Sequence, residues 1–151
     1  MSDLRDILLV ETRKRLVTAD CVGVIEQYVS GRGGLRGIGM KTGIGMIKAA
    51  RPDAMLRVIG HLLPEIVATL EPCHAESVAT GKSFDATVKA HRSRVANELV
   101  AMADRRMTAV QNATAKSMYK RFRGDAEAEV IAALPLLSRA LDRYRQLDTS
   151  A

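Results

Sequence analysis

The chain has 151 residues, 47% hydrophobic and 26% charged, with a net charge of +6, a balance that fits one globular domain and excludes a disordered chain. No uncharged run exceeds nine residues (107–115 and 130–138), far short of the roughly 20 that span a bilayer, and Met1–Asp6 alternates charge where a secretion signal would carry an apolar core. Two cysteines, Cys21 and Cys73, give no disulfide framework, so reduced thiols in a cytoplasmic protein are expected.

The charge is segregated along the chain. Residues 1–29 carry −1, 30–52 carry +5, 53–87 carry −3, 88–124 carry +7 and 125–151 carry −2. A basic stretch can attract an anionic partner, but alternating signs also let sequential segments neutralise one another inside one fold.

Leu4, Ile7 and Leu8 suggest a first helix. A second runs from about Asp20 through Val24, Ile25, Tyr28 and Val29, where β-branched residues weaken the helical reading. The next segment, residues 31–51, is glycine-rich and basic. It holds seven of the eleven glycines, Gly-Ile-Gly-Met at 37–40 and 43–46, and Arg32, Arg36, Lys41, Lys48 and Arg51 with no acid. A phosphate loop fails on spacing: Gly34 and Gly39 are correctly separated, but Met40 intervenes before Lys41-Thr42. A dinucleotide fingerprint fails at its third glycine, where Arg36, Thr42 or Lys48 stands. Close helix packing remains, because Gly39 and Gly43 lie one turn apart. A strand with Ile38, Met40, Ile44 and Met46 on one face competes with it. The helical flanks favour a helix from Gly34 to Ala50, marginal alone because of its glycines. On a wheel its glycines fall on two opposite sides, and Arg36, Lys41 and Lys48 do not gather on one face, unlike a membrane-surface helix.

Asp53 can cap a helix bearing Leu56, Ile59, Leu63, Ile66 and Leu70, which Pro64 and Pro72 are expected to divide into two or three pieces. Glu71 and His74 form half of a di-iron E-x-x-H pattern; no second copy exists, so no metal site is read from it. Cys73 and His74 are adjacent and do not face each other on a helix. Ser83 can cap a long helix over 83–107, with Phe84, Val88, His91, Val95, Leu99 and Met102 on one stripe and His91 at the edge of the core. A continuation over 108–123 ends in Lys116, Lys120 and Arg123, cations suited to a helix C-terminus and flanked by Tyr119 and Phe122. Gly124-Asp125 reads as a stop and a cap. The last helix carries Val130, Leu134, Leu137, Leu141 and Tyr144, with Glu127 and Glu129 in its first turn, a bend expected at Pro135 and a frayed tail over 146–151.

The whole reads as a single all-α domain over 1–151, a bundle of about five to seven helices. Gly33-Gly34-Leu35, Gly37, Lys41, Lys48 through Pro52, Leu63-Pro64, Leu70-Glu71-Pro72, Ala103-Asp104-Arg105 and Tyr119 together resemble a family of short uncharacterised bacterial proteins over residues 4–145. The resemblance implies a bacterial, all-helical, stand-alone domain and brings neither activity nor catalytic residue. No catalytic motif is complete and no cofactor is implied. The expectation is a non-enzymatic interaction protein that self-associates, with segment 31–51 in the contact. The alternative is a binder of an anionic small molecule, a lipid headgroup or an acidic protein through Arg32, Arg36, Lys41, Lys48 and Arg51. Nucleic acid is disfavoured by the 3% aromatic content.

Overall fold

Leu63, Val67, Leu70 and Cys73 recur at helical spacing and lie at or near complete burial, and the helix that carries them, Ala54–Thr80, is one unbroken element despite two prolines. Pro64 and Pro72 do not divide it as the sequence suggests. Both are exposed, so the carbonyls they leave unpaired, those of Gly60 and Ala68, fall away from the core where water can reach them, while burial of the opposite stripe holds the helix together.

The computed structural model describes residues 2–150. Among these the elements are α1 (Leu4–Leu8), α2 (Glu11–Gly31), α3 (Gly34–Ala50), α4 (Ala54–Thr80), α5 (Phe84–Ala90), α6 (Arg92–Met107), α7 (Ala113–Phe122), a 3-10 turn (Arg123–Asp125) and α8 (Ala126–Ser150). These described residues form the expected all-α bundle, with the 83–107 stripe broken at His91. Ser83 caps α5 as expected, accepting from the Ala86 N–H at 3.1 Å. Asn112, not Thr108, opens α7, accepting from the Ala115 N–H at 3.0 Å.

Two expected caps are absent. Asp53 makes no side-chain cap on α4 and pairs instead with Arg51 at 3.4 Å. Gly124 is not left-handed; positive φ belongs to Gly34 (73°) and Gly81 (76°). Gly81 closes α4, its N–H bonding the Ser77 carbonyl at 3.0 Å, the conformation an L-residue adopts only at a cost. The chain passes instead through the 3-10 turn into α8, which runs through Pro135 to Ser150, across most of the expected tail; Ala151 lies outside the described residues.

α4 and α8 form the centre. α2 packs on both, α5 and α6 pack on α8, and α1 lies against α4 and α8. One core joins Leu4, Leu8, Val17, Leu63, Leu70, Phe84, Val95 and Leu141. The short α1 is held by polar bonds as well. The Leu4 N–H donates to both Glu71 carboxylate oxygens at 2.8 and 3.1 Å. The buried His74 donates from Nε2 to the Ser2 carbonyl at 2.9 Å and accepts at Nδ1 from Arg145 Nε at 2.8 Å, which requires the neutral imidazole. Glu71 and His74 therefore serve as a latch for the N-terminal segment. Arg145 also bonds Asp142 at 2.5 Å and Ser77 at 3.2 Å and lies 4.5 Å from the Phe84 ring centroid.

Candidate interaction site

α3 is the element whose sequence and placement disagree most. It contains Leu35, Ile38, Met40, Ile44, Met46 and Ile47, yet over residues 34–49 the buried positions are Gly37 and Gly43. The glycines explain the inward side. A Cβ on Gly37 would stand 2.0 Å from the Arg32 carbonyl oxygen, one on Gly39 3.1 Å from Phe122 Cζ, and one on Gly43 2.3 Å from Met118 Cε. The missing side chains let α3 lie close against the α2–α3 turn and leave room for two side chains of α7, so Gly39 and Gly43 meet side chains rather than the close backbone their spacing suggests. The bounds of α3, Gly34–Ala50, are those expected, and the competing strand is not formed.

The outward side keeps large apolar groups in water. Leu35 is 89% exposed, Ile38 62% and Met46 52%. With exposed Thr42, Gly45 and Ala49 they follow a helical spacing that places them along one side of the helix. A scattered exposed leucine needs no account; an aligned set of this kind does.

The five basic residues of the segment are not brought to one point. Arg32 binds Glu129 of α8 through Nε and Nη2, the closest contact 2.7 Å. Arg36 pairs with Asp125 and lies 5.9 Å from the Phe122 ring centroid, and its Nη1 is buried with no hydrogen-bond partner. Lys48 pairs with Glu26 of α2 at 2.6 Å, and Arg51 with Asp53. Lys41 shares a surface hollow with Glu26, Ile44 and Lys48 and has no carboxylate partner among the described residues. Much of the basic charge of 30–52 is thus met by acids of the same fold.

Sequence reading did not single out three clasps in which tyrosine and arginine share a carboxylate. Tyr28 and Arg32 meet on Glu129, which the sequence marks only as a dipole partner. Tyr119 (2.5 Å) and Arg123 (2.8 Å) meet on Asp104. Tyr144 donates to Asp20, with Arg143 at 3.7 Å. Burial and the neighbouring carboxylate push each phenol up to about 12. The guanidinium of Arg32 holds the Glu129 carboxyl below its ordinary range, and that of Arg123 does the same for Asp104. The spacing signal was present at two of them, arginine four residues after tyrosine.

The other chemical candidates are occupied structurally. His91 stands at the α5–α6 break, with Nε2 3.1 Å from the Glu76 carboxylate. Cys73 Sγ lies 3.4 Å from Arg94 Nη2, and burial raises its thiol pKa; burial pushes that of Cys21 up to about 12. Neither is a ready nucleophile. Arg123 is committed to Asp104, which separates it from exposed Lys116 and Lys120. No group of three or more His, Cys, Asp or Glu among the described residues is placed to hold a metal, and no helix among them is long and apolar enough to cross a membrane.

No characterised protein and no solved structure matches the chain significantly. A family of unknown function, DUF6918, matches residues 4–145, the span and the kind of family that the motifs indicated, and the chain belongs to that family.

Proposed function

We propose that the chain is a non-enzymatic interaction module, a cytoplasmic protein of bacterial origin, which pairs with a second copy of itself through the outward side of α3. The observation that carries this reading is the exposure of Leu35, Ile38 and Met46 on a helix whose buried positions over residues 34–49 are both glycine. In an antiparallel pair, Ile38 falls opposite Met46 and Leu35 opposite Ala49. Thr42 comes at the centre, where a small residue lets the helices approach. Such a two-fold contact is self-complementary.

Fully burying a leucine, isoleucine or methionine stabilises by roughly 1.5–3 kcal/mol. Three partly exposed residues from each copy supply roughly 6–12 kcal/mol gross by that scale, against an association cost of about 4–15 kcal/mol. The expected dimer is therefore weak and concentration-dependent, and the monomer persists on its own core. Sedimentation velocity over a concentration series tests this: the parent chain should move from monomer to dimer, and Ile38→Glu should stay monomeric with an unchanged helical spectrum. A parent chain that is monomeric at the highest concentration, or an Ile38→Glu variant that still dimerises, removes the reading.

A second reading, capture of an anion or an acidic protein by the same segment, draws support from the unpartnered Arg36 Nη1 and from Lys41. It asks four of its five residues to leave or share carboxylates they already hold. Binding of inorganic phosphate by calorimetry that weakens with salt and is lost on Arg36→Gln and Lys41→Gln would favour it; no heat at low salt would dispose of it.

A further inference from the structure

On another part of the molecule, α5, the start of α6 and the middle of α8 enclose a cleft of about 430 Å3, within the range of roughly 300–1,000 Å3 typical of small-molecule sites. Its wall is apolar at Val88, Leu134 and Pro135 and basic at Lys89, Arg92 and Arg139. Val88 and Leu134 belong to the buried core, so the wall is rigid rather than assembled from loops. None of the three cations has a carboxylate partner among the described residues. Arg92 is nevertheless fixed, its Nη1 donating to the Lys89 carbonyl at 2.9 Å, which ties the guanidinium to the end of α5. Asp85 is the one acid on the wall, and it leaves an excess of positive charge there.

The sequence accounts for this arrangement. Lys89 and Arg92 lie three apart on the side of α5–α6 that continues from Val88, and Pro135 and Arg139 lie one turn apart on α8, so each wall carries an apolar position beside a cation. A helix C-terminus stabilises nearby cations, which accounts for Lys89 in the last turn of α5 but not for Arg92 at the start of α6 or Arg139 in the middle of α8. The three cations converge on an apolar hollow without an acid to neutralise each of them.

We infer that this cleft binds a small organic oxyanion with an apolar body, the head on Lys89 and Arg92 and the body against Val88, Leu134 and Pro135. A guanidinium offers paired N–H groups to a carboxylate or a phosphate, and an ammonium adds a point charge. The apolar wall gives a short chain or ring surface to leave water. The basic rim disfavours a cation of the same shape. The site shares no residue with α3, so it stands or falls separately from self-association.

The test is a 1H–15N NMR titration of the full chain with sodium octanoate, octyl phosphate and octylammonium, each below its micelle concentration. Saturable shifts confined to residues 85–92 and 131–139 are expected with one or both of the anions, and not with octylammonium. Whichever anion binds more tightly identifies the head as carboxylate or phosphoryl. The double variant Lys89→Gln/Arg92→Gln changes two exposed residues and should keep the native spectrum elsewhere, while its affinity falls at least about tenfold. The inference is overturned by an absence of saturable shifts, by shifts centred on α3, by equal binding of octylammonium, or by a folded double variant that binds as well as the parent.

Discussion

The same substitution at two glycines of α3 should change stability in opposite directions. Alanine is favoured over glycine in a helix interior by roughly 0.5–1 kcal/mol. At Gly45 nothing lies within 4 Å of an added Cβ, so Gly45→Ala should keep that whole gain. At Gly37 the added carbon would stand 2.0 Å from the Arg32 carbonyl oxygen and 2.6 Å from its carbon. Both are backbone atoms, so the α2–α3 turn must open, at an overpacking cost of about 1–3 kcal/mol or more. For a chain of this length 1 kcal/mol moves Tm by about 2–4 °C. Gly45→Ala should therefore raise Tm by up to about 4 °C, and Gly37→Ala should lower it by several degrees. Thermal unfolding by circular dichroism measures both, on an Ile38→Glu background so that self-association does not enter. Gly43→Ala should fall between them, because the Met118 methyl it meets is the flexible end of a side chain. A Gly37→Ala variant as stable as its parent would refute the close seating of α3 on the turn.

The clasps and thiols yield three further predictions. The chain has three tyrosines and no tryptophan, so near-ultraviolet absorbance on alkaline titration reports the clasps directly; midpoints near 12 are expected, and a midpoint near the ordinary 10 would contradict them. Because the folded phenol pKa is raised, this stabilisation is complete below pH 10 and fades as pH rises through about 12. Glu129→Gln should destabilise by about 1–3 kcal/mol in denaturant unfolding, since it weakens bonds to both Tyr28 and Arg32. Glu129 has a depressed folded pKa, so the parent's advantage over this variant should be present above the ordinary glutamate pKa and shrink as pH falls through the folded value; a pH-independent difference would rule that out. Cys21 and Cys73 should resist a thiol reagent at neutral pH in the native chain and react on unfolding; rapid native labelling of either would show that its burial is wrong.

Periodicity made most of this architecture legible. The Val130–Tyr144 stripe, the Ser83 cap and both ends of α3 follow from local rules, because each depends on residues within a turn or two. The prolines of α4 misled because spacing does not show which side of a helix faces water, and Pro64 and Pro72 stand on the side where an unpaired carbonyl can be hydrated. Gly124 misled for the converse reason: a glycine beside an aspartate permits a left-handed stop without requiring one. The clasps were hidden by distance, with Tyr28 and Tyr144 separated from their carboxylates by 101 and 124 positions. In α3, the wheel showed glycines on two sides but could not say that Gly39 and Gly43 meet Phe122 and Met118 while Gly45 meets nothing.

The seating of α1 sets an order on synthesis. Leu4, Ile7 and Leu8 are made well before the surfaces that cover them, which belong to α4 and α8, and α8 begins more than a hundred residues later. The imidazole that holds Ser2 is itself held by Arg145. α1 therefore waits, with its leucines uncovered, until α8 has emerged. A nascent chain stalled before α8 would present that helix to chaperones, and closure of the domain would come as one late event rather than helix by helix.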